Sequence, residues 1–203
     1  MNEDHQTHET EPIEEWERAD TIARPKWPKV IGIISIVLGS LGLVCGGLGL
    51  VATPLASKFM EGALEGDPVP YGMVPTAADY IIMGLSVVLA LLLLFAGITA
   101  VAHRPVTRVM HIVYALLSIP MSIWSYLNQM EKAELNAQWA RDFPDNQMAQ
   151  GMDPSNAGAA AGQIFGLIVL LVFGIGLPVF YLIWFGLIKT KPEQITGGEE
   201  GVY

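Results

Sequence analysis

Four long apolar runs divide the chain: Val30 to Val51, Tyr80 to Ala102, Val109 to Leu127, and about Ala159 to Ile188. Each supplies the roughly 20 residues that a helix needs to cross a hydrocarbon core about 30 Å thick. The pattern predicts an all-α fold, a four-helix transmembrane bundle over residues 28–188. The fourth run exceeds what a crossing requires, so it is expected to tilt, kink or project, with Pro178 as the kink point. The segment before the first run is long and acidic, not short and basic. The first run therefore reads as an uncleaved span and not as a signal peptide.

The polar segments between the runs have their own patterns. Residues 1–27 hold eight acids against three bases, with little apolar content up to about residue 23, and read as a disordered acidic tail. His5 and His8 stand there as an i, i+3 pair, which is too few ligands for a metal site. The turn His103–Thr107 is short and forces spans two and three into an antiparallel hairpin. Two long loops lie on the opposite side, about 52–78 and 128–157. In the first, Leu55, Phe59 and Ala63 recur every four residues, as in a short helix lying on the membrane surface. In the second, helical spacing continues from span three to about Phe143, where Pro144-Asp145-Asn146 ends it and a loop follows to Asn156. Residues 189–203 read as a short disordered tail.

Lys and Arg set the orientation. Arg18, Arg24, Lys26, Lys29, Arg104, Arg108, Lys189 and Lys191 fall on the side of the termini, against Lys58, Lys132 and Arg141 on the other. Eight against three predicts both termini in the cytoplasm. Trp27, Tyr181 and Trp184 fall near the inner interface, and Tyr80, Trp124 and Tyr126 near the outer one, depths that suit amphipathic rings.

The helix faces carry three stripes. In span one, Gly32, Ser35, Gly39, Gly42, Gly46 and Gly49 repeat at spacings of 3 and 4. This is a seam of small residues that lets another backbone approach closely, with a left-handed crossing. In span four, Gly158, Gly162 and Gly166 form a glycine zipper whose expected partner lies within the same chain, the alternative being a second copy. In span three, His111, Ser118, Ser122 and Ser125 fall on one polar face that should turn inward. The simpler reading is hydrogen bonding between helices. The sharper one is a water-lined path or small ligand site with His111 as its titrating group.

Composition narrows the chemistry. The formal net charge of −9, without a Lys/Arg cluster, excludes nucleic acid as a partner. The one cysteine, Cys45, cannot form an internal disulfide. Spans one, two and four contain no acid or base, which argues against a proton- or sodium-driven transporter. No metalloprotease, nucleophile-elbow, phosphate-loop or CxxC motif is present, and no cofactor, metal or enzymatic activity is expected.

Two segments carry a resemblance. Trp27-Pro28-Lys29-Val30-Ile31-Gly32 opens span one, and Pro178-Val179-Phe180-Tyr181-Leu182-Ile183-Trp184-Phe185 closes span four. Together they resemble small bacterial four-span membrane proteins with a Trp-Pro start and an aromatic last helix. That resemblance implies an inner-membrane location and brings no assigned activity. The function expected is a non-catalytic accessory or organising component, with the lipid bilayer, a membrane protein or a second copy as partners. The alternative is a small channel or carrier that uses the span-three stripe.

Overall fold

The computed structural model describes residues 25–63, 68–152, 157–191 and 193–196. Residues 1–24 of the acidic tail, with the His5/His8 pair, lie outside the described residues, as do residues 197–203. Among the described residues there is no strand, and four helical rods are long and apolar enough to cross a membrane. They are α1 (Trp27–Ala63), α2 (Ala77–Val101), α3 (Thr107–Asp142) and a last rod that ends at Ile188. The last rod comprises α5 (Ala157–Val169), a wide-turned stretch Leu170–Gly176, α6 (Leu177–Ile183) and a second wide-turned stretch Trp184–Ile188. Two short helices, α4 (Gln147–Met152) and α7 (Glu193–Thr196), complete the set.

The glycine seam of α1 packs against α2, and this is the closest helix pair in the molecule. A Cβ on Gly39 would lie 2.7 Å from the Leu94 backbone nitrogen, and one on Gly32 would lie 2.7 Å from the Gly97 carbonyl oxygen. Gly97 answers from α2, where a Cβ would meet the Gly32 carbonyl oxygen at 2.7 Å. Gly42 and Gly46 face Ala90 and Val87 less tightly, and Gly49 lies beside Met83. The seam thus brings two backbones into direct contact.

The first loop differs from expectation. No separate surface helix starts at Pro54; α1 continues without a break to Ala63. Pro54 has no N–H for the carbonyl four residues back. Just before it, the Thr53 hydroxyl donates to the Gly49 carbonyl at 2.7 Å and supports the same turn. Residues 68–79 then dock against the projecting part of α3. The Trp139 indole N–H donates to the Pro68 carbonyl at 2.9 Å, and the Gly72 N–H donates to Asn136 Oδ1 at 2.9 Å. Only glycine fits at position 72, because a Cβ would collide with the Lys132 carbonyl oxygen.

Asp79 clamps this end of the bundle. Its carboxylate accepts from the Thr76 backbone N–H at 2.6 Å and from the Thr76 hydroxyl at 2.9 Å, which closes a capping box at the start of α2. It also accepts from Asn128 Nδ2 at 2.9 Å and pairs with Lys132 Nζ at 2.6 Å. One carboxylate so joins the start of α2 to two successive turns of α3.

At the other end, α2 finishes in a Schellman motif. Arg104 N–H donates to the Thr99 carbonyl, His103 N–H donates to the Ala100 carbonyl, and His103 takes φ 53° where glycine is usual. His103 Nδ1 lies 2.9 Å from the Ile195 carbonyl oxygen. Ile195 is fully buried, so residues 193–196 form a docked helical turn and not the loose tail expected from composition.

The last rod departs from a regular α-helix on both sides of Pro178, and not only at the proline. Pro178 cannot donate to the Gly174 carbonyl, and the Leu177 N–H reaches back five residues to the Val172 carbonyl. The widened turn sets Gly174 against α3, where a Cβ would lie 2.9 Å from that of Ser122. The second widened stretch leaves the Phe185 carbonyl free to accept from Arg108 Nε at 2.9 Å, while Arg108 Nη1 donates to the Thr190 carbonyl. A guanidinium at a helix C-terminus also complements the negative end of the helix dipole.

Candidate functional site

His111 is the one His, Lys, Arg, Asp or Glu within the four apolar runs. It sits on the second turn of α3 and has no exposed surface. Its Nδ1 lies 2.8 Å from the Thr107 carbonyl oxygen, four residues back in the same helix. Its Nε2 lies 3.1 Å from Ser35 Oγ of α1, and Ser35 Oγ lies 2.8 Å from the Tyr181 hydroxyl of α6. Three helices are joined by one chain of hydrogen bonds. Ser35 and Phe185 are fully buried, and Tyr181 is 1 % exposed.

The chemistry of the donors and acceptors orders the protons. The Thr107 carbonyl can only accept, so Nδ1 carries the imidazole hydrogen. In the neutral ring Nε2 is then an acceptor, and the Ser35 hydroxyl donates to it. Ser35 Oγ in turn accepts from the Tyr181 O–H. The chain runs in one direction, from tyrosine through serine and histidine to a carbonyl, and ends satisfied. Rings enclose it. Phe185 stacks on His111 with centroids 4.5 Å apart, and Tyr181 meets His111 edge-on at 4.8 Å.

Ser35 belongs to the heptad register of the glycine seam, yet its hydroxyl serves α3 and α6. Its place in that register predicts only a packing role. Tyr181, read as an interfacial aromatic, is a core residue. Both were hidden because their partners lie 76 and 146 residues away along the chain. The sequence-level signal was a hydroxyl in place of a glycine in an otherwise all-glycine stripe.

Elsewhere on the α3 stripe, Ser118 is buried and donates back to the Ala115 carbonyl at 3.3 Å. Ser122 packs against Gly174, and Ser125 lies 3.5 Å from Gln129 Nε2. None of His111, Ser118, Ser122 and Ser125 lines the two grooves beside the last rod.

Those grooves lie at opposite ends. At the loop end α5 makes little contact with α3, and a groove of about 660 Å³ opens between them. Gly162 and Gly166 line it, and a Cβ on either would meet nothing within 4 Å. Gly158 is exposed as well. The expectation that this zipper packs within the chain is therefore corrected at Gly162 and Gly166, which face the open groove toward α3 without touching it. Its cause is the widened stretch Leu170–Gly176, which brings Gly174 to α3 and lets α5 diverge. At the termini end a slot of about 350 Å³ separates α1 from α6.

No group of three or more His, Cys, Asp or Glu among the described residues could hold a metal ion. Compared with known proteins, the chain matches no family model, and neither a curated protein nor a solved structure is significantly similar to it.

The hydrogen-bond order makes a graded prediction. Ser35→Ala strands both His111 Nε2 and the Tyr181 hydroxyl and is expected to cost about 1–3 kcal/mol. Tyr181→Phe leaves the Ser35 donor on its acceptor and is expected to cost only about 0.5–1.5 kcal/mol. Denaturant titration of the three proteins in the same micelles reads the order; a larger loss for Tyr181→Phe would contradict it.

Proposed function

We propose that this chain is a multi-pass inner-membrane protein, with both termini cytoplasmic, that acts without catalysis as an accessory or organising component. The observation that carries the reading is the closed state of the buried polar chain. The one strongly ionisable side chain within the apolar runs has both ring nitrogens engaged by the protein itself and is sealed from solvent. A general base needs a free site within reach of a substrate proton, and a proton path needs connected water. His111 offers neither. Its chemistry is spent on fastening helices.

What remains available is surface. Gly162 and Gly166 of α5 line an open groove that leaves room for a close approach. Such a face suits another membrane helix, from a partner protein or a second copy. The channel alternative gains no support from the geometry, because the α3 serines are covered or bonded to their own helix.

Two experiments test this. In mild detergent, native mass spectrometry is expected to find the chain bound to a partner or to itself. Gly166→Leu, which meets open space and leaves the fold intact, should reduce that complex at least about tenfold. A monomer in every preparation, unchanged by the substitution, would remove the reading. For orientation, Ser57→Cys in a chain whose Cys45 is replaced by Ala should react with an impermeant maleimide in intact cells. Reaction only after permeabilisation would reverse the topology.

A further inference from the structure

We propose that the slot between α1 and α6 is a binding site for one anionic phospholipid, with an acyl chain in the slot and the headgroup on the lysines at its mouth. The inference rests on the chain being membrane-embedded, and it adds a ligand class to the surface-acting role above.

The slot is apolar throughout. Trp27, Val30 and Ile34 form one wall and Leu177, Phe180 and Trp184 the other, and no polar atom lines it. From Trp27 to Ile34 is seven residues, or about 11 Å along a helix axis. That is most of the roughly 15 Å half-thickness of a hydrocarbon core, so the slot suits a chain entering from one leaflet. It exists because α1 and α6 are pinned at two levels. Ser35 holds Tyr181 deep in the bundle, and Trp27 meets Trp184 edge-on at 5.8 Å near the surface.

The mouth is cationic. Lys189 Nζ stands 5.7 Å from the centre of the Trp27 ring. Lys26 and Lys29 flank Trp27 in sequence and are exposed. Among the described residues the one ion pair found is Asp79–Lys132, at the far end of the molecule. An apolar slot and a cationic rim together match an amphiphile with an anionic head. A neutral apolar molecule would leave the lysines unanswered.

The test uses the full chain in mild detergent, titrated with phosphatidylglycerol or with phosphatidylcholine of the same acyl chains and read by native mass spectrometry. Retention of one phosphatidylglycerol is expected, preferred over phosphatidylcholine by at least about fivefold, the scale of one lysine near an anionic headgroup. The surface substitution Lys26→Gln/Lys29→Gln/Lys189→Gln should bring the two lipids to near equality. Val30→Trp fills the slot from a position 56 % exposed and should lower retention of both lipids to a similar degree. Equal retention of the two lipids by the wild type would overturn the headgroup assignment. Undiminished binding by a folded Val30→Trp protein would overturn the slot. Neither outcome touches the Gly166→Leu comparison, so the lipid site and the surface-acting role fail separately.

Discussion

The Ser35 hydroxyl is the joint on which this bundle turns. In an apolar interior a hydrogen bond lacks competition from water, and an unpaired polar group is correspondingly expensive. Ser35 spends its donor on His111 and its acceptor on Tyr181, so α1, α3 and α6 share one polar contact. Serine suits the place for two reasons. It is small enough to stand in the register of the glycines that bring α1 onto α2. It also carries the one group in that register able to bond sideways. Placement of the last helix against the first and third therefore depends on this residue.

The two ends of the molecule are fastened differently. At the loop end, fixed charges do the work: Asp79 gathers Thr76, Asn128 and Lys132, and Trp139 and Asn136 hold the loop against α3. At the termini end, backbone carbonyls released by irregular helix ends take side-chain donors, as Phe185 takes Arg108. Between them the rods are smooth and apolar, and the departures of α5 from α3 and of α6 from α1 leave a groove at each end.

The four rods were legible in the sequence because a run of about 20 apolar residues has few other fates. The small-residue seam of α1 was legible because its heptad spacing holds from Gly32 to Gly49, and the structure sets those glycines on α2. Three features were not legible. The continuation of α1 through Pro54 depends on local hydroxyl support that spacing alone does not reveal. The open groove in front of Gly162 and Gly166 depends on the widened stretch Leu170–Gly176, farther along the rod. The Ser35–His111–Tyr181 chain joins residues from three helices, and periodicity within one helix is blind to partners on another.

The central claim is that His111 is a dry structural connector. Nitrogen-15 NMR of the histidines in bilayers, with the His111 signals identified by their loss in His111→Gln, tests it directly. The account predicts one neutral tautomer, protonated at Nδ1 and unprotonated at Nε2, whose N–H exchanges slowly with water. A ring protonated at Nε2, or one whose proton exchanges rapidly with bulk water, would contradict it and return the third helix to consideration as a wet path.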